Sequence, residues 1–348
     1  MPTFTADELR QIGTLLFTAA GAPAEVAAKV AGSLVLSNLK GHDSHGIAQA
    51  SGYVRAIRAG KLDPKAQPVI LNETPTTALV DGKWGFGQVA AEFATNILIQ
   101  KAQQNAVSAV GIRNCNHIGR LGQYAEQAAS VDIIAMITLC GGGRGTSTTP
   151  YGGAGRTLGT NPFAFGIPAG KQPPLIADFA TTVVAGGKIA VARDRGERIP
   201  EGWLVTKDGL PTTDPAEFYR GGMLLTMAGH KGSALSMVAE ALGGALTGAT
   251  QFQEGEAGRN CVFMWGVRID VFQPAEEYRK LEDRSIEKIK ATPPAPGFRE
   301  VLVPGEPERR TQAQREREGI DIPDNTWQSI RAVAEELSVA DQLPCGRD

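Results

Sequence analysis

Three of the four histidines fall in two short glycine-flanked segments, Gly41-His42-Asp43-Ser44-His45-Gly46 and Asn114-Cys115-Asn116-His117-Ile118-Gly119. Imidazole has the side-chain pKa nearest neutrality, so His45 and His117 are candidates for general acid–base work. The flanking glycines allow close backbone approach, and Asp43, Ser44 and Asn116 add groups that hold or pass protons. A single histidine is more often a satisfied structural residue. Two such clusters in one chain tip the balance toward catalysis.

A second reading of the first cluster is a metal site. His42 and His45, three residues apart, would be ligands, with Asp43 or Asp178 completing a two-histidine, one-carboxylate set for a metal-dependent hydrolase or lyase. Asp43 and Ser44 serve as well as proton-handling neighbours, so the metal-free reading ranks first. Gly229-His230-Lys231-Gly232 opens a predicted helix, where Lys231 adds a full charge to free amides and suits a phosphate or carboxylate. Asp178, expected at the carboxyl end of a strand, can cap amides or accept from ribose hydroxyls. No Gly-x-Gly-x-x-Gly follows a strand near the chain start, which disfavours a standard Rossmann fold. Gly243 and Gly244, late in a helix, read as close helix packing.

Composition leaves an ordinary globular protein. The 348 residues are 42% hydrophobic and 21% charged, enough for roughly two domains. Lys and Arg total 35 against 37 acids, and the net charge of −2 gives no general attraction to nucleic acid or an anionic membrane. Cys115, Cys140, Cys261 and Cys345 are widely spaced, with no CxxC pair, so a reducing, cytoplasmic setting is the default. No apolar run is long enough for a membrane span, and Met1 to Arg10 shows no signal-peptide pattern.

The elements that must position these residues are legible in outline. Thr5-Ala6-Asp7-Glu8 is a capping box ahead of a first helix, and Pro23 opens a second that ends at the first histidine cluster. A further helix is expected over Ile47 to Ala59, then a strand at Thr77 to Val80. Helix Gln88 to Gln103, strand Val107 to Ile112, helix Leu121 to Ala129 and strand Ile133 to Leu139 alternate, which argues for an α/β arrangement. Residues 141 to 170, including Gly141-Gly142-Gly143, read as a long functional loop. Pro174 to Ala177 reads as a strand delivering Asp178 into Thr181-Thr182 and a short helix through Lys188. The helix after Gly229 should run to Leu246, and Glu306 to Glu318 and Trp327 to Leu337 read as amphipathic helices.

Taken in order, Gly41 to Gly46, Asn116-His117-Ile118-Gly119, Gly159-Thr160-Asn161-Pro162-Phe163, Asp178-Phe179-Ala180-Thr181, His230-Lys231-Gly232 and Pro304-Gly305-Glu306 resemble the malate/L-lactate dehydrogenase family that lacks a Rossmann fold. Within it the chain is most similar to the hydroxycarboxylate dehydrogenase branch. The resemblance spans residues 5 to 337. It implies an α/β fold with a non-Rossmann mixed-sheet cofactor domain (76–299) and a helical domain formed from both chain ends (1–75 and 300–348). It also implies a homodimer, NAD or NADP as cofactor, and a small 2-hydroxy or 2-oxo acid as substrate. His117 or His45 would be the proton donor, with Ser44 nearby. Thr160, Asn161, Asp178, Phe179, Ala180, Lys231, Gly232, Gly305 and Glu306 would line the cofactor site. Much of the family carries an arginine four residues after the histidine at the place of His45; here that place is Gln49, followed by Tyr53. Arg120 is the candidate replacement for gripping the substrate carboxylate. A catalytically silent ligand-binding dimer is the non-enzymatic alternative, against which intact His45, His117 and Lys231 argue.

Overall fold

The computed structural model describes residues 1–141, 146–249 and 260–346. Gly142 and Gly143 of the expected loop lie outside the described residues, as do the last two residues of the C-terminal segment.

The two chain ends fold together. Thr3–Phe4 pairs with Ile320–Asp321 in a two-stranded antiparallel ribbon, so both ends of the chain join one core. The Thr5 capping box is present: its side chain accepts from the Glu8 amide, and the Thr5 amide donates to the Glu8 carboxylate in return. That start launches helix Ala6–Ala19, whose Leu9, Ile12, Leu16 and Phe17 are fully buried. They pack with Val30, Leu34 and Val35 of helix Ala24–Leu39 and with Ile330 and Val333 of helix Asp324–Glu336 in one apolar cluster. Gly13 makes the first helix crossing possible, because a Cβ there would sit 2.8 Å from the Ala31 methyl.

The second core surrounds a seven-stranded mixed sheet. In spatial order its strands are Val69–Glu73, Thr77–Asp81, Val107–Cys115, Asn260–Arg268, Ile133–Cys140, Phe163–Ile167 and Leu175–Phe179. The Thr77–Asp81 and Val107–Cys115 pair is parallel and is joined through helix Gly87–Asn105, since parallel neighbours need a crossover. The remaining pairings are antiparallel. Helices Gly87–Asn105 and Gly122–Ala129 cover one face, and helix His230–Ala239 with its π-helical extension Glu240–Ala245 lies over the other. Gly243 is the expected close contact: a Cβ there would strike the Cys261 carbonyl and crowd the Cys140 amide.

Four sequence expectations need correction. The segment 141–170 is not loop throughout, because Phe163–Ile167 is a sheet strand. Asp178 lies inside its strand rather than after it, and the next helix starts only at Gly186. The expected helix from Ile47 begins as a 3₁₀ turn, Ile47–Gln49, and is α-helical over Ala50–Arg58. The apolar run Asn260–Arg268 was unassigned, yet it is the middle strand of the sheet. A small third cluster also forms where Ile189 of helix Gly186–Asp194 packs on Leu204 and Leu224 of a three-stranded sheet.

Candidate active site

The two histidine segments come from different cores and meet at the seam between them. His45 ends the 3₁₀ turn Asp43–His45, which is held from behind. Asn38 donates through Nδ2 to Asp43 Oδ1 at 2.7 Å and accepts from the Ile47 amide at 2.8 Å. Arg315, from the C-terminal helix Glu306–Glu318, grips both Asp43 oxygens at 2.7 and 2.9 Å. Such a bidentate fork fixes orientation as well as charge. Asp43 therefore serves as a strut and faces away from chemistry. Gly46 permits this wrap, since a Cβ there would overlap the Asn38 carboxamide.

His117 follows strand Val107–Cys115. Asn116 donates to the Trp84 and Gly85 carbonyls at 2.8 and 3.0 Å, and the Ile118 amide donates to Asn260 Oδ1 at 2.9 Å. Gly87 is required beneath them, because a Cβ would collide with the carbonyls of both Asn116 and His117. The histidine backbone is thus pressed against the first turn of helix Gly87–Asn105.

The result is a pair of imidazoles with ring centroids 5.4 Å apart and 30° between planes. Ser44 Oγ lies 3.0 Å from His45 Nδ1, and the Tyr53 hydroxyl lies 2.6 Å from His117 Nδ1. The second ring nitrogen of each, Nε2, is left for a ligand. Burial pushes His45 down to about 4, helped by the neighbouring charges of His42 and Arg120, and burial next to His45 pushes His117 down to about 3. Both rings are neutral at neutral pH, so each can accept a proton. A cavity of about 240 Å³ opens beside His117, lined by Gln49, Tyr53, Phe86, Gln88 and Asn116 among others, with no charged side chain in its wall. Gln49 donates through Nε2 to the Ser44 carbonyl at 2.7 Å, tying this wall to the histidine turn.

Arg120 does not join that wall. It is 3% exposed, and its guanidinium sits 3.2 Å from Glu126 Oε2, an ion pair too poorly aligned for a hydrogen bond, so Nε and Nη2 keep no hydrogen-bond partner. Lys40 holds the other Glu126 oxygen at 3.2 Å. What Arg120 supplies is a buried positive field that reaches His45 and Asp178.

Asp178 accepts from the Gly122 amide at 2.7 Å and so caps helix Gly122–Ala129, not the helix that follows it in sequence. Burial raises its carboxyl pKa, against the pull of the Gly122 hydrogen bond and Arg120. Its strand is the sheet edge. The Ile176 amide faces outward to the Pro304 carbonyl at 3.2 Å, and the period of two puts the Asp178 backbone groups on the same outer edge. Phe179 stacks at 6.5 Å on Phe165, and Ala180 is half-buried beside it. Thr160 offers its carbonyl to both the amide and hydroxyl of Thr181. Asn161 is fully buried and donates through Nδ2 to the carbonyl and hydroxyl of Ser236 and to Glu240, so its side chain ties loop to helix. Gly232 packs against the Met227 and Thr181 backbones, while Lys231 is exposed at the start of helix His230–Ala239. Gly305 turns with φ 85° to bring the last helices onto the edge strand. Burial alone would raise Glu306, yet hydrogen bonds from Lys290, the Val303 amide and Arg310 hold it at about 2. Its carboxylate is committed to those partners.

The metal reading does not find its ligands together. His42 Nε2 pairs with Glu308 Oε1 at 3.5 Å, Asp43 is taken by Arg315, and among the described residues no three His, Cys, Asp or Glu side chains converge. Two site residues escaped the sequence reading, Gly87 and Gln88. Their signal was a glycine at a helix start followed by an amide amid Val89, Ala90 and Ala91.

The profile of the family described as malate/L-lactate dehydrogenase matches residues 4–331. Hydroxycarboxylate dehydrogenase B of Escherichia coli is 35% identical over 347 residues, covering 97% of this chain and 95% of the relative. L-sulfolactate dehydrogenase of Methanocaldococcus jannaschii is 36% identical over 326 residues, 92% of each chain. The solved structure of the sulfolactate dehydrogenase from that organism superposes with a TM-score of 0.88 at 33% identity over 98% of both chains. Malate dehydrogenase from Pyrococcus horikoshii gives 0.87 at 30% identity over 97% and 96%. On these matches the chain belongs to the malate/L-lactate dehydrogenase family.

Proposed function

We propose that the protein is an oxidoreductase that moves a hydride between a nicotinamide dinucleotide, NAD or NADP, and the C2 carbon of a small 2-hydroxy or 2-oxo acid. The observation that carries this is the half-buried His45–His117 pair beside a half-open cavity, with His117 Nδ1 held by Tyr53.

The residues present fit a dinucleotide. The outer edge at Asp178 leaves backbone groups facing away from the sheet, and Lys231 adds an exposed cation at a helix start, where phosphate is favoured. Asp178, Phe179, Ala180 and Lys231 would hold it, and the nicotinamide supplies or takes the hydride. Asn161, Gly305 and Glu306 support that surface from behind through the contacts already described.

The chain's own part is proton transfer and orientation. In oxidation, neutral His117 takes the hydroxyl proton at Nε2 as hydride leaves C2. In reduction the same nitrogen returns it to the carbonyl oxygen. Tyr53 fixes the ring, and Ser44 orients His45 behind it. The anionic substrate counters the burial that depresses both rings and brings their pKa values up toward working pH. The carboxylate lies on the side of the rings where Arg120 projects its field. The side chain of the acid enters the uncharged cavity, so bulkier, uncharged side chains than that of lactate are accepted.

A homodimer belongs to this reading. Met237, Val238 and Leu246 on the helix over the sheet are 60%, 46% and 64% exposed, an apolar strip that a second copy would cover. The test of function is a panel of 2-oxo acids assayed with NADH and with NADPH. Turnover of at least one acid is expected; turnover of none, in folded protein that binds neither nucleotide, overturns the proposal.

A further inference from the structure

Behind His117 the polar contacts form a single file. Gln88, 1% exposed in the first turn of helix Gly87–Asn105, donates through Nε2 to the Tyr53 hydroxyl at 2.9 Å. Tyr53 lies 2.6 Å from His117 Nδ1. A phenol has one proton, and here it is neutral, because burial raises Tyr53 well above its ordinary value. If the oxygen accepts from Gln88, its proton goes to Nδ1, and the neutral ring must then carry its own proton on Nε2. The other end of the carboxamide, Oε1, is buried with no partner.

That unpartnered end makes the file reversible. Turn the carboxamide over and Oε1 accepts from Tyr53, the phenol oxygen accepts from Nδ1–H, and Nε2 is left bare. One hydrogen bond to Tyr53 is exchanged for another, and the end facing away has no protein partner in either state. The turn exchanges a buried unpartnered carbonyl oxygen for a buried unpartnered NH2, so the first state prevails without substrate and the second is reached when a 2-hydroxy acid meets bare Nε2. An alanine or leucine at this place could set neither state, and a lysine could set only one.

We infer that Gln88 is a positioning residue that sets, through Tyr53, which nitrogen of His117 holds the proton, and that its carboxamide turns over to serve both directions of the reaction. Nε2–H meets the carbonyl oxygen of a 2-oxo acid, and bare Nε2 meets the hydroxyl of a 2-hydroxy acid. The inference rests on the dehydrogenase reading for its purpose, but the proton arrangement exists without substrate.

The experiment uses the full chain with ¹⁵N-labelled histidine, as wild type, Gln88→Met, Tyr53→Phe and the double variant. His117 is identified by the resonances lost in His117→Gln. In the wild type the ring nitrogens should show one predominant tautomer, with Nε2 protonated. Gln88→Met and Tyr53→Phe should each move the two shifts toward a common, mixed-tautomer value, and the double variant should move them no further. In turnover, Gln88→Met should lower kcat on the order of 10-fold with KM little changed, and should have no added effect in the Tyr53→Phe background. An unchanged tautomer in Gln88→Met overturns the inference, as does a full-sized effect on kcat when Tyr53 is already Phe. Absence of turnover with any 2-oxo acid in the wild type would defeat the dehydrogenase reading instead, and the resonance measurement would still decide the role of Gln88.

Discussion

Acid should destabilise this protein through its two catalytic-site imidazoles, and removing one should halve that loss. Unfolded histidine titrates near its model value of 6.5, whereas folded His117 and His45 titrate at about 3 and about 4. A depressed histidine pKa means that the unfolded chain binds the proton first. Stability is therefore level above the unfolded pKa, falls as pH drops below it, and stops falling once the folded pKa is passed. Between pH 7 and pH 5 each ring loses about 2 kcal/mol, or about 4 kcal/mol for the pair. In His117→Gln only the His45 share remains, about 2 kcal/mol, because burial and the charges of His42 and Arg120, not His117, depress His45. Urea unfolding at a fixed protein concentration, at pH 7, 6 and 5, measures both slopes, and groups common to the two proteins cancel in the difference. Parallel curves for wild type and variant would refute the burial argument for His117.

Gly87→Ala should lower kcat by 10-fold or more, because the new Cβ must displace the His117 carbonyl and with it the ring; circular dichroism checks that the fold survives. Lys231→Ala should raise the KM for the dinucleotide more than that for the acid, and steady-state kinetics with both substrates varied would expose a merely solvated lysine by leaving both constants unchanged. Arg120→Ala should cost on the order of 2 kcal/mol of stability by urea titration, less than a fully buried pair because Lys40 still serves Glu126. Its kcat/KM should fall as well, through loss of the field at His45.

The sequence carried the local signals well, because each is set by a few adjacent residues. Thr5 with Glu8, the glycines around His42 and His45, and Lys231 at a helix start all appear in the structure where capping and turn chemistry require them. The non-local half was not legible in the same way. Asp178 caps a helix that starts at Gly122, and Asp43 is gripped by Arg315; both partnerships depend on how distant segments fold together. The strand Phe163–Ile167 was hidden by its glycine- and proline-rich neighbours, although Phe163, Ala164 and Ile167 are apolar. The sequence suggests Arg120 as a carboxylate ligand, and the structure adds a half-buried ion-pair partner, Glu126, that the spacing did not reveal. Gln88 was invisible because an amide in a helix is unremarkable until the phenol and imidazole it reaches are known.

In the proposed reaction His117 moves the proton while the dinucleotide moves the hydride. This assignment is tested most directly by comparing wild type and His117→Gln with the preferred 2-oxo acid at saturating reduced nucleotide, following nicotinamide absorbance, and by titrating nucleotide binding to each protein by fluorescence. The account predicts a loss in kcat of ~10²–10⁴-fold with nucleotide affinity kept within a few-fold, the signature of a lost acid–base group. A variant that retains near wild-type kcat would contradict it and transfer the role to His45.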